Sequence, residues 1–410
     1  MIFVSATDTP VDLEAPPAVP RPDGEDDLAV EGENAVTDSV LRPAAEALYE
    51  EELAVLSAAD THDKPARWRM SPRAVATFIL GSRGKKVGKK DLEITQKFFG
   101  DDSLVERAIV TLASQRGLML VGEPGTAKSM LSELLTAAIC GTSLLTTQGS
   151  AATTEDNIKY SWNYALLLAK GPVLDALVAS PLYTAMRDGK ICRFEELTRC
   201  PLEVQDSLVS VLSDKVLLIP ELKGADNVVF AKDGFNIVAT ANSRDRGVNE
   251  MSAALKRRFN FETVRPITDL QMEIGLVERE SAKLLARSNV KVDMVKDVVE
   301  LLVTAFQELR AGESQEGVRL DKPSTALSTA EAVGVAYAAG LHAFHFGAGK
   351  LRAEDIVQHL TGAVIKDATD DIPRLSAYFD VVVKERAKRK GGAWSALFEA
   401  KKLLPNATAS

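Results

Sequence analysis

The stretch LMLVGEPGTAKSML, residues 118–131, constrains the fold more than any other part of the chain. A short apolar run meets a turn rich in Gly and Pro, and the turn leads into a helical pattern, which predicts a strand, a tight loop and a helix. Within it, GEPGTAKS matches the pattern G-x-x-x-x-G-K-[ST], except that Ala127 replaces the last glycine. The backbone N–H groups of such a loop converge on phosphate oxygens, and the following helix directs its positive end at them. The sequence therefore predicts a phosphate-binding loop.

Two side chains of this loop have predicted roles. Lys128 is expected to reach the β- and γ-phosphates of a nucleotide, and the hydroxyl of Ser129 is expected to hold Mg²⁺. We expect Ala127 to need only helical dihedral angles at the helix start, so that its methyl group is tolerated. The predicted nucleotide contacts are Gly122, Glu123, Pro124, Gly125, Thr126, Ala127, Lys128, Ser129 and Met130.

Strands and helices alternate after this loop. Apolar runs predict strands over residues 118–121, 143–148, 191–194, 235–241 and 259–264, with helices over 129–139 and 204–212. This alternation is typical of a parallel sheet covered by helices on both faces. From residue 269 onward the pattern is helical, and Ser328-Thr329-Ala330-Glu331 is a capping box that opens a helix. The predicted fold is therefore α/β, followed by an all-α domain.

The charge distribution separates a tail from the body. Residues 1–60 hold 15 acidic and 2 basic residues, whereas the rest of the chain carries a balance of +4. We predict a disordered acidic tail (1–39), a helical arm with a basic linker (40–94), a nucleotide-binding domain (95–268), a helical lid (269–375) and a C-terminal helix and tail (376–410). The nearly neutral body disfavours a nucleic-acid partner.

The sequence also bears on the compartment. No stretch approaches the length of a membrane-spanning helix, and the first ten residues do not have the pattern of a secretory signal. The three cysteines form no C-x-x-C pair. We therefore expect a cytoplasmic protein without membrane association.

Polar side chains follow the later strands. The strand 191–194 ends in Glu195 and Glu196; the first carboxylate can hold Mg²⁺ through water and the second can deprotonate an attacking water. Asn242, which ends the next strand, is suited to hold a water near a γ-phosphate, although a turn-forming asparagine is an equal alternative. Arg257 and Arg258 precede the last strand. One of them can stabilise transition-state charge in a neighbouring molecule, although both can also be surface arginines.

The order of GEPGTAKS, CRFEELTRCPLEVQDSL, FNIVATANSRDRG and ALKRRF resembles the AAA+ ATPases and, within them, the MoxR family, over about residues 95–375. The resemblance implies a P-loop core with a five-stranded parallel sheet and a hexameric ring that binds ATP and Mg²⁺ between subunits. It implies that Glu196 is the water-activating base, Glu195 the Mg²⁺-side carboxylate and Asn242 the first sensor. Arg258 then matches the arginine that acts on a neighbouring subunit, with Arg257 as the second choice. Gly100, in FFGDDSLVERAIVTLA, matches a turn on the adenine side.

Two departures from the family pattern bear on hydrolysis. Glu195 stands where the family has Asp. In the lid, the family has a Ser-Pro-Arg-Ala signature whose arginine touches the γ-phosphate, whereas this chain has Pro323-Ser324-Thr325-Ala326, with Lys322 as a nearby substitute. These changes leave ATP binding as the prediction and make brisk hydrolysis an open question.

Two insertions are candidates for work on a partner. Residues 150–188 contain Tyr160, Trp162 and Tyr164, which either grip a polypeptide or pack on the core. Residues 216–230 predict a β-hairpin.

Three functions remain open at this point. The first is a MoxR-like machine that remodels a client protein, for which a von Willebrand factor A domain is a frequent partner in the family. The second is a nucleotide-gated scaffold with little hydrolysis, and the third is a DNA-associated AAA+ motor, which the nearly neutral body disfavours.

Overall fold

The computed structural model describes residues 40–242, 249–366 and 370–405. The chain divides into two units, Met1–Pro43 and Ala44–Ser410, and every helix and strand named below belongs to the second. The predicted acidic tail, 1–39, lies outside the described residues.

The N-terminal arm is helical and packs against its own chain. The third helix begins with Pro72 after Ser71, whose hydroxyl accepts a hydrogen bond from the N–H of Ala74 at 3.2 Å. The predicted basic linker is a short antiparallel pair with exposed lysines. The elements are α1 (Ala45–Leu48), α2 (Glu50–Ala59), α3 (Pro72–Leu80), β1 (Lys86–Val87) and β2 (Leu92–Glu93). Their buried side chains, Leu53, Leu56, Phe78 and Ile79, share one core with Leu131 and Leu134 of the helix after the phosphate-binding loop.

The core domain begins with a helix that leads into the first strand of the main sheet. Its N-cap is Asp101, whose carboxylate accepts a hydrogen bond from the N–H of Ser103 at 2.9 Å. The first elements are α4 (Asp102–Leu112), β3 (Gly117–Gly122), α5 (Lys128–Cys140) and β4 (Thr146–Gln148). The strand predicted over 143–148 is therefore shorter than expected. It lies at the sheet edge and pairs only through Thr146–Gln148.

The insertion between β4 and the next sheet strand has its own small structure. It consists of α6 (Glu155–Ile158), β5 (Tyr160–Trp162), α7 (Tyr164–Lys170), β6 (Leu177–Ala179) and α8 (Pro181–Asp188). Strands β5 and β6 pair antiparallel, so this segment forms a hairpin whose connection contains α7.

The second half of the core contains β7 (Ile191–Glu195), α9 (Leu202–Asp206), α10 (Leu208–Ser213), β8 (Val216–Leu218), β9 (Val228–Phe230), β10 (Asn236–Asn242), α11 (Ala253–Lys256) and β11 (Phe259–Thr263). Strands β8 and β9 form the predicted hairpin. The prediction of one helix over 204–212 is wrong, because two short helices meet at Ser207. The hydroxyl of Ser207 donates to the carbonyl of Val204 at 2.8 Å, and such local bonds compete with helical hydrogen bonding.

The five sheet strands lie in the order β11-β3-β10-β7-β4, and every neighbouring pair is parallel. Strand β3, an interior strand between β11 and β10, is buried on both faces over Leu118–Leu120, as expected for a parallel sheet between helical layers. Asn242 pairs in register with Gly122, so both residues lie at the carboxyl edge of the sheet. The predicted α/β fold with a five-stranded parallel sheet is confirmed.

The lid is helical, as predicted, and includes the C-terminal segment. In the predicted capping box, the Ser328 hydroxyl accepts from the N–H of Glu331 at 3.2 Å and the Glu331 carboxylate accepts from the N–H of Ser328 at 2.8 Å. The segment after residue 376 continues the lid core, because Tyr378, Phe379 and Leu397 are buried in the same cluster as Phe306. The elements are α12 (Leu270–Arg287), α13 (Lys296–Ala311), α14 (Thr329–His345), α15 (Ala353–Val364), α16 (Asp371–Tyr378), a π-helical turn (Phe379–Val383), α17 (Lys384–Lys390) and α18 (Ala393–Glu399).

Candidate active site

The loop between β3 and α5 has the shape that its sequence predicts, with one exception. Strand β3 ends at Gly122 and α5 begins at Lys128. The Lys128 ammonium donates to the carbonyl oxygens of Gly122 and Glu123 at 3.1 and 2.7 Å, and the Thr126 hydroxyl donates to Glu123 O at 2.9 Å. The Lys128 side chain therefore folds back over the loop and contacts the carbonyl of a residue 6 positions earlier in the chain.

The expectation for Ala127 is wrong. Its backbone has φ +67° and ψ +22°, which is the left-handed region and not the helical one. A residue with a Cβ pays about 1–2 kcal/mol in this region, whereas glycine adopts it freely. The general pattern has glycine at this position because the loop needs left-handed backbone angles there. In this chain an alanine adopts the same angles, with strain.

The two remaining glycines of the loop are required by close packing. A Cβ on Gly122 would lie 2.3 Å from the carbonyl oxygen of Val264, just after β11. A Cβ on Gly125, which has φ +74°, would lie 2.2 Å from the Cβ of Ser328 at the start of the lid helix α14. The loop is therefore enclosed between the end of β11 and the lid.

A cavity of about 540 Å³ opens over this loop. The loop contributes residues 123–130, and the tips of the neighbouring strands contribute Glu196, Thr240 and Asn242. The remaining lining residues come from the N-terminal arm, the segment 95–99 that follows it, the residues just after β11 and the lid: Tyr49, Thr95, Gln96, Lys97, Phe99, Arg265, Pro266, Ile267, Leu276, Arg279, Glu280, Lys283, Arg310, Ala326–Ala330 and Val333. Its polar floor and partly apolar walls are the features that a nucleotide pocket needs.

Glu195 lies beneath the floor of this cavity and is 7% exposed. One carboxylate oxygen accepts from the hydroxyls of Ser129 at 2.6 Å and Thr240 at 2.7 Å. The other accepts from Ser132 at 2.7 Å and from the Arg193 guanidinium at 2.9 Å. Burial by itself raises the pKa of Glu195, but these hydrogen bonds and the charge of Arg193 lower it below its ordinary value. The carboxylate is therefore ionised and fully bonded.

The donor set around Ser129 fits a magnesium ion. Ser129 lines the cavity, and a carboxylate oxygen of Glu195 accepts from its hydroxyl at 2.6 Å, so two oxygen atoms of the kind that Mg²⁺ prefers lie side by side. Glu195 would have to give up a hydrogen bond that it now accepts in order to ligate the ion. Glu195 is one methylene longer than the Asp of the family pattern, and it bonds to Ser129 and Ser132 together. Sequence reasoning missed Ser132, Thr240 and Arg193. The signal for Arg193 was its position two residues before Glu195, which places both on the same face of a strand.

Glu196 lies on the cavity wall beside Asn242. Its backbone is left-handed, with φ +53°, and its N–H donates to the Thr240 hydroxyl at 3.0 Å. Its carboxylate forms an ion pair with Arg199, at 2.8 Å from the guanidinium Nε. The structure thus brings together four predicted residues, Lys128, Ser129, Glu196 and Asn242, around one cavity.

Other predicted residues lie elsewhere in the part of the chain that the structure describes. Gly100 follows the lining residue Phe99 but does not itself line the cavity. Arg258 lies away from the cavity of its own chain and is hydrogen-bonded to the Ser213 hydroxyl and to the carbonyl of Ala254, while Arg257 is exposed.

The two lid residues that the resemblance compares with the family arginine do not line the cavity, although other lid residues do. Neither Lys322 nor Thr325 is among the lining residues of the described chain, whereas the lining of this part of the lid starts at Ala326. The side chain of Lys322 instead lies next to Gly312: a Cβ on that glycine would be 2.7 Å from Lys322 Cε. The hypothesis that Lys322 replaces the family arginine is therefore not supported.

The N-terminal arm and the segment 95–99 that follows it supply cavity residues that sequence reasoning missed. Lys97 is 6% exposed, and its ammonium donates to the Glu52 carboxylate at 2.6 Å and lies 4.7 Å from the centre of the Tyr49 ring. Burial lowers the pKa of Lys97, although Glu52 opposes this shift. The guanidinium of Arg279, a second cationic lining residue, lies 4.8 Å from the centre of the Phe99 ring. No local sequence signal identifies these contacts, because they join distant segments.

The alternatives for the aromatic insertion are now resolved for two residues. Tyr160 and Trp162 pack against the core, and the Tyr160 hydroxyl donates to Glu221, in the β8–β9 hairpin, at 2.9 Å. Tyr164 is 72% exposed on α7, together with Leu168, which is 90% exposed.

Comparison with known proteins agrees with this site. Residues 117–259 match the family model for the AAA domain (dynein-related subfamily), and residues 271–405 match that for the YehL-like AAA+ ATPase C-terminal domain. The uncharacterized protein YehL of Escherichia coli (strain K12) is 50% identical over 364 residues, which cover 89% of this chain and 98% of that protein.

The chain belongs to the YehL-like AAA+ ATPases. The gas vesicle ATPase GvpN2 of Halobacterium salinarum is a more distant relative, 26% identical over 242 residues that cover 55% of this chain and 67% of that protein. Among solved structures, NtrX from Brucella abortus in complex with ADP covers 75% of this chain and 70% of that chain at 14% identity, with a TM-score of 0.43, which is too low to bear on function.

Membership in the AAA+ ATPases confirms the predicted class of enzyme and a nucleotide as its ligand. The second match extends to residue 405, so this YehL-like protein shares with its family the whole helical region and not only the segment up to 375. Within the described residues, no helix is both long enough and apolar enough to span a bilayer.

Proposed function

We propose that this AAA+ protein hydrolyses ATP with Mg²⁺ at subunit interfaces of a MoxR-like ring and uses the cycle to remodel a partner protein. The observation that carries the proposal is the meeting of Lys128, Ser129, Glu196 and Asn242 around one cavity at the carboxyl edge of a parallel sheet. Each of these residues has a separate chemical task.

The phosphate-binding loop supplies affinity. Its backbone N–H groups and the N-terminus of the 13-residue helix α5 attract the phosphates. Lys128, which now bonds to the carbonyls of Gly122 and Glu123, is expected to exchange these contacts for the β- and γ-phosphates. The predicted contacts of Gly100 and of the remaining loop residues belong to the same proposal.

Ser129 and Glu195 are the residues proposed to hold Mg²⁺, which when bound neutralises charge on the phosphates. Glu196 is the proposed general base. It takes a proton from a water that Asn242 orients, the water oxygen bonds to the γ-phosphorus, and the bond to the bridging oxygen breaks to leave ADP and phosphate. Arg258 is proposed to stabilise the transition-state charge in the neighbouring subunit, and Arg257 remains the second choice. In support, both arginines lie outside the cavity of their own chain.

The ring, of six subunits by resemblance, and the client protein, with a von Willebrand factor A domain as the first class to try, are also proposals. The exposed apolar residues of the two insertions support a protein client: Tyr164, Leu168, Leu218 and Phe230 are each more than half exposed.

A nucleotide-gated scaffold is the second candidate. The ion pair between Glu196 and Arg199 favours it, because a carboxylate that bonds to a guanidinium is less free to accept a proton from water. The pairing of Glu195 with Arg193 acts in the same direction for the metal site.

Steady-state ATPase rates and ATP affinity of the full chain separate the two candidates. We expect Glu196→Gln to retain ATP affinity and to lose turnover by a factor of roughly 10² or more, the usual contribution of a general base. The matched control is Glu203→Gln, which alters an exposed glutamate on α9 and should change neither quantity. Wild-type turnover no higher than that of Glu196→Gln, with intact ATP binding, would favour the scaffold; a wild-type protein that binds no nucleotide would end both.

A further inference from the structure

One cationic side chain in the cavity differs from all the others. Arg265 is exposed, lines the cavity, and makes no hydrogen bond, ion pair or ring contact with any residue of the described chain. The other cationic lining residues each have partners: Lys97 bonds to Glu52, Lys128 to Glu123 O, Arg279 and Lys283 to Glu280, and Arg310 to Glu273. An arginine without a protein partner beside a phosphate-binding loop is available for a ligand anion.

The backbone fixes the place of Arg265. The preceding residue, Val264, donates its N–H to the carbonyl of Val121 at 2.8 Å, and its own carbonyl oxygen packs against Gly122. Arg265 therefore begins next to the first residue of the loop, on the β11 side of the sheet.

The strand order sets how far Arg265 lies from the reacting phosphate. Glu196 follows β7, which is three strands away from β11 in the order β11-β3-β10-β7. At about 4.8 Å per strand, this separates the two backbones by roughly 14 Å. Arg265 and Glu196 therefore approach opposite ends of a triphosphate that lies across the loop.

We propose that Arg265 binds the α- and β-phosphates, the part of the nucleotide that ADP and ATP share. This inference rests on the proposed function, because it requires a nucleotide in the cavity. The planar guanidinium of Arg265 can form two parallel hydrogen bonds to phosphate oxygens.

The contact is made equally with substrate and product. Such uniform binding lowers KM and does not raise kcat, because it does not favour the transition state over the ground state. Arg265 therefore retains ADP after hydrolysis. It does not replace the lid arginine of the family pattern, because that arginine acts on the γ-phosphate.

The test is the affinity of the full-length Arg265→Gln protein for ADP and for ATP by titration calorimetry. We expect both affinities to fall by the same factor, about tenfold, which corresponds to about 1.4 kcal/mol. Arg265→Lys should restore part of each, kcat should not fall, and the difference from wild type should shrink at high salt, because charge contacts are screened. Arg389→Gln, an exposed arginine on α17, is the matched control and should bind both nucleotides as wild type does.

Three results would overturn the inference. A loss for ATP alone would place the arginine at the γ-phosphate, unchanged affinities would remove it from the ligand, and a loss that is insensitive to salt would point to a contact with the base or sugar. In each of these cases the wild-type protein still binds nucleotide, so the proposed function stands. A wild-type protein that binds neither ADP nor ATP would overturn the proposed function and this inference together.

Discussion

Shortening Glu195 by one methylene tests the network beneath the cavity. Glu195→Asp restores the residue of the family pattern, yet it withdraws the carboxylate by about 1.3 Å, close to one projected C–C bond. The four hydrogen bonds that it now accepts measure 2.6–2.9 Å. After the change most of them exceed the distance at which a hydrogen bond is effective, because the strand β7 is held on both sides by β10 and β4.

The expected cost follows from these contacts. A hydrogen bond that involves a charged group contributes about 1.5–3 kcal/mol, and the contributions of neighbours do not add fully. When the carboxylate withdraws, the hydroxyl of Ser132 can donate instead to the carbonyl of Ser129, 2.8 Å away, and Arg193 keeps its bond to the carbonyl of Ser143 at 2.9 Å, so part of the loss is recovered. We expect the free energy of unfolding to fall by about 2–4 kcal/mol.

Urea unfolding of the full chain near pH 7 measures this difference, since both carboxylates are ionised there and only geometry changes. Glu203→Asp makes the same deletion on an exposed helix and should stay within about 0.5 kcal/mol of wild type. If Glu195→Asp is as stable as this control, then the carboxylate network does not hold β7 and α5 together, and the reasoning is wrong.

Two other substitutions test separate parts of the molecule. Arg258→Ala should keep its affinity for ATP and lose turnover by roughly 10³-fold, the scale of an arginine acting across an interface. Mixing the Arg258→Ala and Glu196→Gln proteins should then restore measurable ATPase activity, because the first supplies the intact glutamate and the second supplies the intact arginine. If the two inactive proteins stay inactive when they are mixed, the result contradicts a site shared between subunits. Glu316→Gln should flatten the acid limb of the stability curve followed by circular dichroism. The hydrogen bond from Arg386 lowers the pKa of Glu316 to about 2, so its stabilising contribution is present above its unfolded pKa of about 4.3 and is lost as the pH falls toward 2. An unchanged acid limb in this variant would count against that pairing.

The parts of the fold that sequence reasoning predicted are those set by short-range spacing. The loop at residues 122–129, the capping box at Ser328 and the hairpin over 216–230 each depend on residues that are close in the chain. Alternation of strands and helices then predicted the parallel sheet. The break at Ser207 was missed, because a local hydroxyl bond outweighed an apolar pattern that reads as one helix.

The parts of the site that were missed depend on long-range contacts or on backbone angles. The partners of Glu195 include Ser132 and Thr240, which are 63 and 45 residues away in the chain. The left-handed angles of Ala127 could not be read from an alanine, which in most contexts favours a helix. The lining residue Arg265 became visible only when the sheet order was known.

The hydrogen bond between Tyr160 and Glu221 joins the aromatic insertion to the β8–β9 hairpin, two segments that are separate in sequence. Anyone who builds chimaeras between relatives would have to exchange the aromatic insertion and the β8–β9 hairpin as a pair, since either one transplanted alone leaves half of this bond behind. The same coupling means that selection on either segment would act on both at once, and that their sequences should drift in step across the family.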